Sequence, residues 1–425
     1  MRATTAFNKM LQIPAATVTD VTFTPARVEV RIRHRRRRLR CPCGWSTRAV
    51  YDRSIRRWRH LDLGSCRLVL LGEIRRLDCR RCGRVRTEDV EWARPGARCT
   101  RDLEDVITWL AQRVDKTTVS RLLRVSWQTV ADVVGRVVAD HLDDARLDEV
   151  YRIGVDEVSY RKHHRYLTVV ADHDRDGAVL WAGEGRKSDT LAQFYDLLGA
   201  QRCQQLQAVS LDMGRPFRLA TRTHAPQAAQ CIDPFHVIKL ANEAVDYTRS
   251  WAANQLRPVK GTDSPAGYVT KNPRLADAAA RTIKHTRWAL VKDPANLTDK
   301  QQAQLANLRA SRHLLWRAYE LKEELRDLYR LPEGTRPDAH LDAWLTRACR
   351  SRIPAIVKLS RTIRTHRDGI LAAVELGLSN SKLEGLNSKI RLINHRGYGH
   401  HSAPTLIAMI YLCAGGISVK LPTET

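Results

Sequence analysis

The chain has 425 residues, 72 Lys+Arg against 46 Asp+Glu, a formal net charge of +26 and a pI near 10.1, the electrostatic footprint of a protein that neutralises a phosphate backbone. Its length exceeds one ordinary core, so two to four domains are expected. No apolar run reaches the ~18 residues of a membrane span and the N-terminus lacks a secretory signal, so the ten cysteines indicate a reducing cytosol and metal binding before disulfides.

The charge is front-loaded, with 24 Arg+Lys and 9 Asp+Glu in residues 1–100, which marks an N-terminal nucleic-acid-binding module. Residues 14–33 alternate apolar and polar positions (Val18, Val21, Phe23; Val28, Val30, Ile32), the period of half-buried strands. They run into Arg35, Arg36, Arg37 and Arg38, a block that reads as a solvated loop or as a set of phosphate contacts, two compatible readings. Cys41-Pro-Cys43-Gly44 and Cys79-Arg-Arg-Cys82-Gly83 resemble the paired knuckles of a zinc ribbon, in which four thiolates close a tetrahedral structural Zn²⁺ site. The first pair is one residue shorter than the usual knuckle. Cys66 and Cys99 are open to two readings, substitute ligand or small core residue.

Residues 101–140 have the pattern of a helix-turn-helix. Leu103, Val106, Ile107, Leu110 and Ala111 keep helical period, Thr117–Leu123 forms a second helix, Arg124-Val-Ser126 the turn, and Ser126 caps a third helix over Trp127–Val138. In such a unit the first residues of the third helix reach base edges, here Trp127, Gln128 and Thr129; a bundle used only for packing is the alternative.

From residue 151 strands and helices alternate. Arg152–Asp156, Tyr166–Ala171 and Ala178–Ala182 read as a three-stranded meander, with Asp172, Asp174 and Asp176 in a hairpin turn. Ser188–Leu198 reads as a helix, Leu206–Asp212 as a fourth strand, Thr221–His224 onwards as a short helix, and Gln230–Asp233 as a fifth strand. Three antiparallel strands followed by strands reached through helices is the strand order of the ribonuclease-H-like fold, in which the first and fourth strands are neighbours. Asp156 and Asp212 would then meet. Residues 241–377 are helical in pattern, with breaks at Pro258, Pro265, Pro273, Pro294, Pro332, Pro337 and Pro354, and Trp251, Trp288, Trp316 and Trp344 as expected core anchors. Ala403–Val419 is apolar and reads as a buried helix.

The segment Ser379–Asn394 reads as a helix carrying Glu384, Asn387, Ser388 and Arg391 on one face; Glu375 upstream competes with Glu384 but lies outside that face. Carboxylates at the ends of adjacent strands, faced by one from a helix, can hold two divalent cations about 4 Å apart for in-line displacement at phosphorus. Asp156, Asp212 and Glu384 fit that description. The stretch 379–399, with Gly154-Val-Asp156-Glu157, Ser210-Leu-Asp212-Met213 and Asp233-Pro-Phe-His236-Val-Ile-Lys239, closely resembles the ISL-three family of bacterial insertion-sequence transposases over nearly the whole chain.

The resemblance implies a DDE transposase of α/β class: a ribonuclease-H-like catalytic domain with an all-helical insertion, in which Asp156, Asp212 and Glu384 hold two Mg²⁺ ions, for which Mn²⁺ can substitute. Such an enzyme binds terminal inverted repeats, cleaves the ends and joins the 3′-hydroxyls to target DNA, working in the bacterial cytoplasm as a homodimer or higher oligomer. Asn387 and Arg391 would support the site. Asp233 and His236 resemble an acidic residue and histidine that support the active site or the bent DNA in several transposases with helical insertions, a structural histidine being the other reading; Lys239 suits a phosphate. The expected organisation is 1–99 zinc-ribbon-like with Cys41, Cys43, Cys79 and Cys82 on Zn²⁺, 100–145 helix-turn-helix, 146–240 first catalytic part, 241–377 helical insertion and 378–425 last catalytic helices. The rivals are a transposase-derived DNA-binding regulator without catalysis and a ribonuclease-H-like structure-selective nuclease.

Overall fold

A computed structural model describes residues 2–161, 165–255, 281–310, 314–400 and 402–424. By contact the chain forms two compact units, residues 1–146 with 391–425 and residues 147–390. This division groups 391–425 with the N-terminal segments, whereas the sequence pattern suggested a last catalytic part running from 378 to 425.

The first unit opens with helix α1 (Ala3–Leu11), an element the strand pattern of 14–33 did not announce, and strands β1 (Ala16–Phe23) and β2 (Arg27–His34). After the short pair β3 (Leu39–Arg40) and β4 (Ser46–Thr47) come β5 (Asp52–Arg59), β6 (Arg67–Cys79) and β7 (Arg84–Thr87). The sheet order is β1-β2-β6-β5, with β7 also pairing β6; β2 and β6 are parallel and the other pairs antiparallel. Val28, Val30 and Ile32 are buried as their alternation requires, and join Trp58, Leu68, Leu70 and Trp92, the two indoles meeting edge-on at 5.6 Å. Phe23 is 64% exposed. A register shift between Val18 and Asp20 breaks the two-residue alternation and sets Val21 opposite Val30 and Phe23 opposite Val28; Phe23 thus shares the face of the buried valines, its ring edge-on to Phe7 at 6.0 Å, and is exposed as the last residue of the strand.

The helix-turn-helix follows as α2 (Arg101–Ala111), α3 (Lys116–Leu123) and α4 (Trp127–His141). Each start has its cap. Thr100 accepts from the Leu103 amide at 3.4 Å, Asp115 from Thr117 and Thr118 at 2.9 and 3.0 Å, and Ser126 from Thr129 at 3.0 Å. Arg124 supplies the left-handed turn residue at φ 52°. Behind the helices, buried Arg94 spans Glu104, Asp105 and Asp140 at 3.3, 2.8 and 2.8 Å, and Arg136 takes the other side of the fully buried Glu104. A charge is tolerated in that core because it is paired on both sides. The apolar C-terminal stretch forms a helix over Ala403–Ala414 that packs on α4, with Gln112 Nε2 donating to the Leu412 carbonyl at 2.9 Å.

The second unit is built on β8 (Arg152–Arg161), β9 (Arg165–Asp172), β10 (Ala178–Glu184), β11 (Ala208–Leu211) and β12 (Ala229–Ile232), in the order β10-β9-β8-β11-β12. β8, β9 and β10 form an antiparallel meander, while β11 is parallel to both β8 and β12. The aspartates between β9 and β10 make the expected turn: Gly177 N donates to the Asp172 carbonyl and Asp174 N to its carboxylate, both at 2.8 Å. Between the strands run α5 (Ser188–Leu198), α6 (Ala200–Gln205) and α7 (Arg215–His224). The last corrects the sequence reading, which began a helix near Thr221. Pro216 at its first turn opens the helix earlier, and His224, followed by Ala225-Pro226, closes it.

After β12 the described chain is helical: α8 (Pro234–Gln255), α9 (Arg287–Val291), α10 (Asp299–Ala310), α11 (Leu314–Asp327), α12 (Pro337–Cys349), α13 (Pro354–Thr365), α14 (Arg367–Glu375) and α15 (Ser381–Arg396). Pro337 and Pro354 start helices rather than merely breaking them; Pro258, Pro265 and Pro273 lie outside the described residues. One apolar cluster runs from Val155 and Val209 in the sheet to Trp344 and Ile363 in the helices. Trp344 is a core anchor, its Nε1 donating to the Leu321 carbonyl at 2.7 Å. Trp251 and Trp288 are not, being 44% and 62% exposed. α14 covers the β12 edge so closely that a Cβ on Gly369 would stand 2.7 Å from the Gln230 carbonyl.

Candidate active site

Register places three aspartates side by side. β11 pairs β8 as Ala208↔Arg152, Val209↔Ile153 and Ser210↔Gly154, and pairs β12 up to Leu211↔Ile232. Two further steps bring Asp212 level with Asp156, and one brings it level with Asp233, so all three leave the same end of adjacent parallel strands. The amide of Asp233 donates to the Leu211 carbonyl at 3.1 Å, which locks that level. Each carboxylate is then fixed locally: Asp156 by the Glu157 amide at 2.7 Å, Asp212 by the Gly214 amide at 2.7 Å, Asp233 by the Asn380 amide at 3.0 Å.

Helix α15 closes the group. Asn387 is buried and its Nδ2 donates to Asp156 Oδ2 at 2.6 Å. One turn earlier, Glu384 Oε1 is buried with no hydrogen-bond partner among the described residues, as is Asn387 Oδ1. Burial raises the Glu384 carboxyl above its ordinary range, and the charges of Asp233 and Asp156 raise it further. Burial likewise raises Asp156 and Asp233, each against the help of nearby N–H groups and His236, with Asp233 and Asp212 respectively adding repulsion. Glu157, absent from the sequence-derived set, is raised by burial and, within reach of Arg186 at 3.9 Å, feels both Asp212 and Asp156. Crowded carboxylates that raise one another, beside two orphaned buried oxygens, form an all-oxygen donor set suited to a hard divalent cation. The group is looser than a closed ligand shell, because the set of His, Cys, Asp or Glu in the described residues whose ligand atoms all lie within 4.8 Å of one another is the cysteine cluster.

The remaining expected residues divide. His236, half-buried, stands 3.8 Å from Asp233. Lys239 is exposed, and so are Ser388 and Arg391; the periodic face therefore splits, Glu384 and Asn387 turning inward and Ser388 outward. Sequence reasoning missed the buried chain beneath the site: His173 Nε2 lies 2.6 Å from Ser210 Oγ, and Ser210 donates to Asn380, which ties the start of α15 to Asp233 and, at 3.5 Å, to the Val155 carbonyl. A signal was present in the Ser379-Asn380 that precedes the helix, residue types that favour helix starts, and in a serine inside an otherwise apolar strand. No signal marked Tyr329, whose buried hydroxyl lacks a partner among the described residues and is raised by burial and by Asp233.

In the first unit the four cysteines converge. Cys41 Sγ is 3.8 Å from Cys82 Sγ and Cys43 Sγ 3.6 Å from Cys79 Sγ, so the pairs cross. Gly44 and Gly83 sit at φ 89° and 64° and donate to the Cys41 and Cys79 carbonyls at 2.8 Å, a turn only glycine adopts freely. The short first knuckle thus still presents both sulfurs. Its Cys43 thiol is lowered to about 6, chiefly by the Trp45 amide, while burial pushes Cys41 up to about 12. The cluster could hold zinc. Cys66 is exposed and Cys99 buried, and neither joins it; only Cys99 is a core residue. Arg35 and Arg36 are partly committed, Arg35 Nε donating to the Ala16 carbonyl at 2.8 Å and Arg36 pairing with Glu91, whereas Arg37 and Arg38 are exposed, as are Trp127 and Gln128 at the start of α4, with Thr129 half-buried.

A family model described as a transposase matches residues 153–410, and another described as the helix-turn-helix domain of transposase family ISL3 matches residues 88–138. The chain is 39% identical, over 99% of its own length and 98% of the relative's, to the transposase for insertion sequence element IS1557 of two Mycobacterium tuberculosis strains. It is 32% identical, over 84% of both chains, to the transposase for insertion sequence element IS1001 of Bordetella parapertussis.

Proposed function

Because this chain belongs to the ISL3 family of insertion-sequence transposases, we propose that its second unit is a ribonuclease-H-like catalytic domain interrupted by a helical insertion, and that it cuts the ends of its element and joins them to target DNA. The observation that carries the reading is the level row of Asp156, Asp212 and Asp233 faced by the buried Glu384 Oε1, which has no hydrogen-bond partner among the described residues. Asp156, Asp212 and Glu384 would hold two Mg²⁺ ions. When bound, these supply Lewis-acid charge at the phosphoryl oxygens and lower the pKa of a coordinated hydroxyl.

The chain's own residues do the rest. The Glu157 and Gly214 amides and Asn387 Nδ2 hold two carboxylates in one orientation, which avoids reorganisation during the reaction. The His173–Ser210–Asn380–Asp233 chain sets where α15 begins, and hence where Glu384 stands. End recognition falls to the first unit, with Trp127, Gln128 and Thr129 on base edges and Arg35 to Arg38 on phosphates; Lys239 adds a phosphate contact in the second. Joining two ends to one target needs two active sites in one assembly, so the working form is at least a dimer, which light scattering of the end complex would test.

The catalytic reading is tested by Asp156→Asn, Asp212→Asn and Glu384→Gln in an end-cleavage assay with Mg²⁺ or Mn²⁺. Each is expected to lose cleavage while retaining end binding. Normal cutting by any one of them would remove that residue from the set, and binding without cutting by the unaltered protein would favour a DNA-binding regulator.

A further inference from the structure

α7 leaves β11 directly after Asp212 and carries Arg215, Arg218 and Arg222 at i, i+3 and i+7, a single stripe. None of the three has a carboxylate partner among the described residues. Arg218 and Arg222 line a cavity of about 330 Å³ together with Gln230, Thr365, His366 and Gly369. Its floor is the outer strand β12 and its far wall the first turn of α14, whose amide end carries partial positive charge. One lining residue is acidic, Asp368, and its carboxylate is 99% exposed.

Arg218 is half-buried and unusually supplied. One guanidinium nitrogen donates to His366 Nδ1 at 2.8 Å, so the imidazole accepts and is neutral, and the buried Nε has no partner among the described residues. A guanidinium removed from water with an unused donor costs stability unless an anion completes it. The orphan lies close to the catalytic row: burial and Arg218 hold His366 low, and the charge of Asp212 acts on the same ring in the opposite sense. A fork of donors of this kind matches phosphate geometry.

We propose that the cleft between α7 and the start of α14 seats a backbone phosphate of the DNA strand that enters the carboxylate site, with Arg218 and Arg222 as its donors and Arg215 extending the track toward Asp212. This deepens the catalytic reading above and rests on it. The seat contributes binding and alignment at a phosphate beside the scissile one, and takes no part in the bond exchange.

The test uses the full chain and duplexes bearing the element's end, each with one phosphate replaced by a neutral methylphosphonate, in Ca²⁺ so that binding is read without cutting. In the unaltered protein, one position beside the cleavage site should weaken binding about tenfold. In Arg222→Gln, whose exposed side chain can be removed without disturbing the fold, and in Arg218→Gln of unchanged melting temperature, that position should become silent, and the slope of log K against log salt should fall by about 0.9 for the lost contact. Arg218→Lys, which keeps charge and loses the fork, should fall between. Full slope and an unchanged methylphosphonate profile in both glutamine variants would overturn the seat. Glu384→Gln separates the two claims: a dead enzyme with an intact profile leaves the catalytic reading standing whatever the arginines do, and a cutting Glu384→Gln would sink that reading without touching the profile.

Discussion

Asn387 shows how much one side chain can decide at this site. Its amide donates to Asp156 while its own oxygen is buried without a partner among the described residues, so it orients one carboxylate and offers an acceptor of its own. Replacement by Leu, close in volume, removes both. Residues that orient a metal ligand typically account for 10–100-fold in metal affinity or activity, and a loss of that size in kcat, with end binding unchanged, is the expected outcome for Asn387→Leu. A variant that cuts at the normal rate at saturating Mg²⁺ would reduce Asn387 to packing. The residue was legible as part of a polar helical face, yet its bond to Asp156 was not, because periodicity orders residues around a helix and does not say which arc faces the sheet.

At the scale of elements, two joints in the first unit give measurable consequences. His60 at the end of the β5 region lies 2.8 Å from Thr100 Oγ1, the cap of α2, and so ties the sheet to the helix-turn-helix. Burial, with the charge of Arg59 adding, pushes the imidazole down to about 4, against about 6.5 in an unfolded chain. The unfolded state therefore binds the proton more readily. The stabilisation is complete above pH 6.5 and drains as pH falls toward 4, a loss of up to roughly 3 kcal/mol. Urea midpoints at pH 7.0, 5.5 and 4.5 should fall more steeply for the unaltered protein than for His60→Gln; equal slopes would exclude His60 as the cause. The second joint is the cysteine knuckle pair. Purified protein is expected to carry about one equivalent of zinc, and chelation or Cys43→Ser should lower the melting temperature, since a four-thiolate site contributes its binding energy to folding. Less than half an equivalent with an unchanged melt would leave four reduced core thiols.

On the scale of the whole molecule, the sequence pattern closes the N-terminal part at residue 145, whereas the compact unit also takes in residues 391–425. The helix over Ala403–Ala414 buries Leu406, Met409, Ile410 and Leu412, and packs on α4. A fragment ending at 146 would expose the face of α4 that this helix covers, at roughly 25 cal/mol per Å² of apolar surface. It should melt at lower temperature than the same segment in the full chain and show apolar-dye binding. A fragment 1–146 as stable as the intact first unit would show that the C-terminal helix is dispensable there.

What the residues determine alone is what depends on local spacing: the cap Ser126, the cysteine knuckles with their glycines, the strand–helix alternation from 151, and the motifs around Asp156, Asp212 and Glu384 that mark the family. These are properties of a few consecutive side chains and of backbone torsions. Tertiary structure decided the rest, because it depends on register and on which surfaces meet. A one-residue shift in β1 set Val21 opposite Val30 and Phe23 opposite Val28, strand pairing put Asp233 level with Asp156 and Asp212, and the packing of α15 chose Asn387 over Ser388. The Arg218 cleft exists only because α14, more than a hundred residues later, lies against β12 at Gly369, a closeness that no periodicity in the sequence encodes.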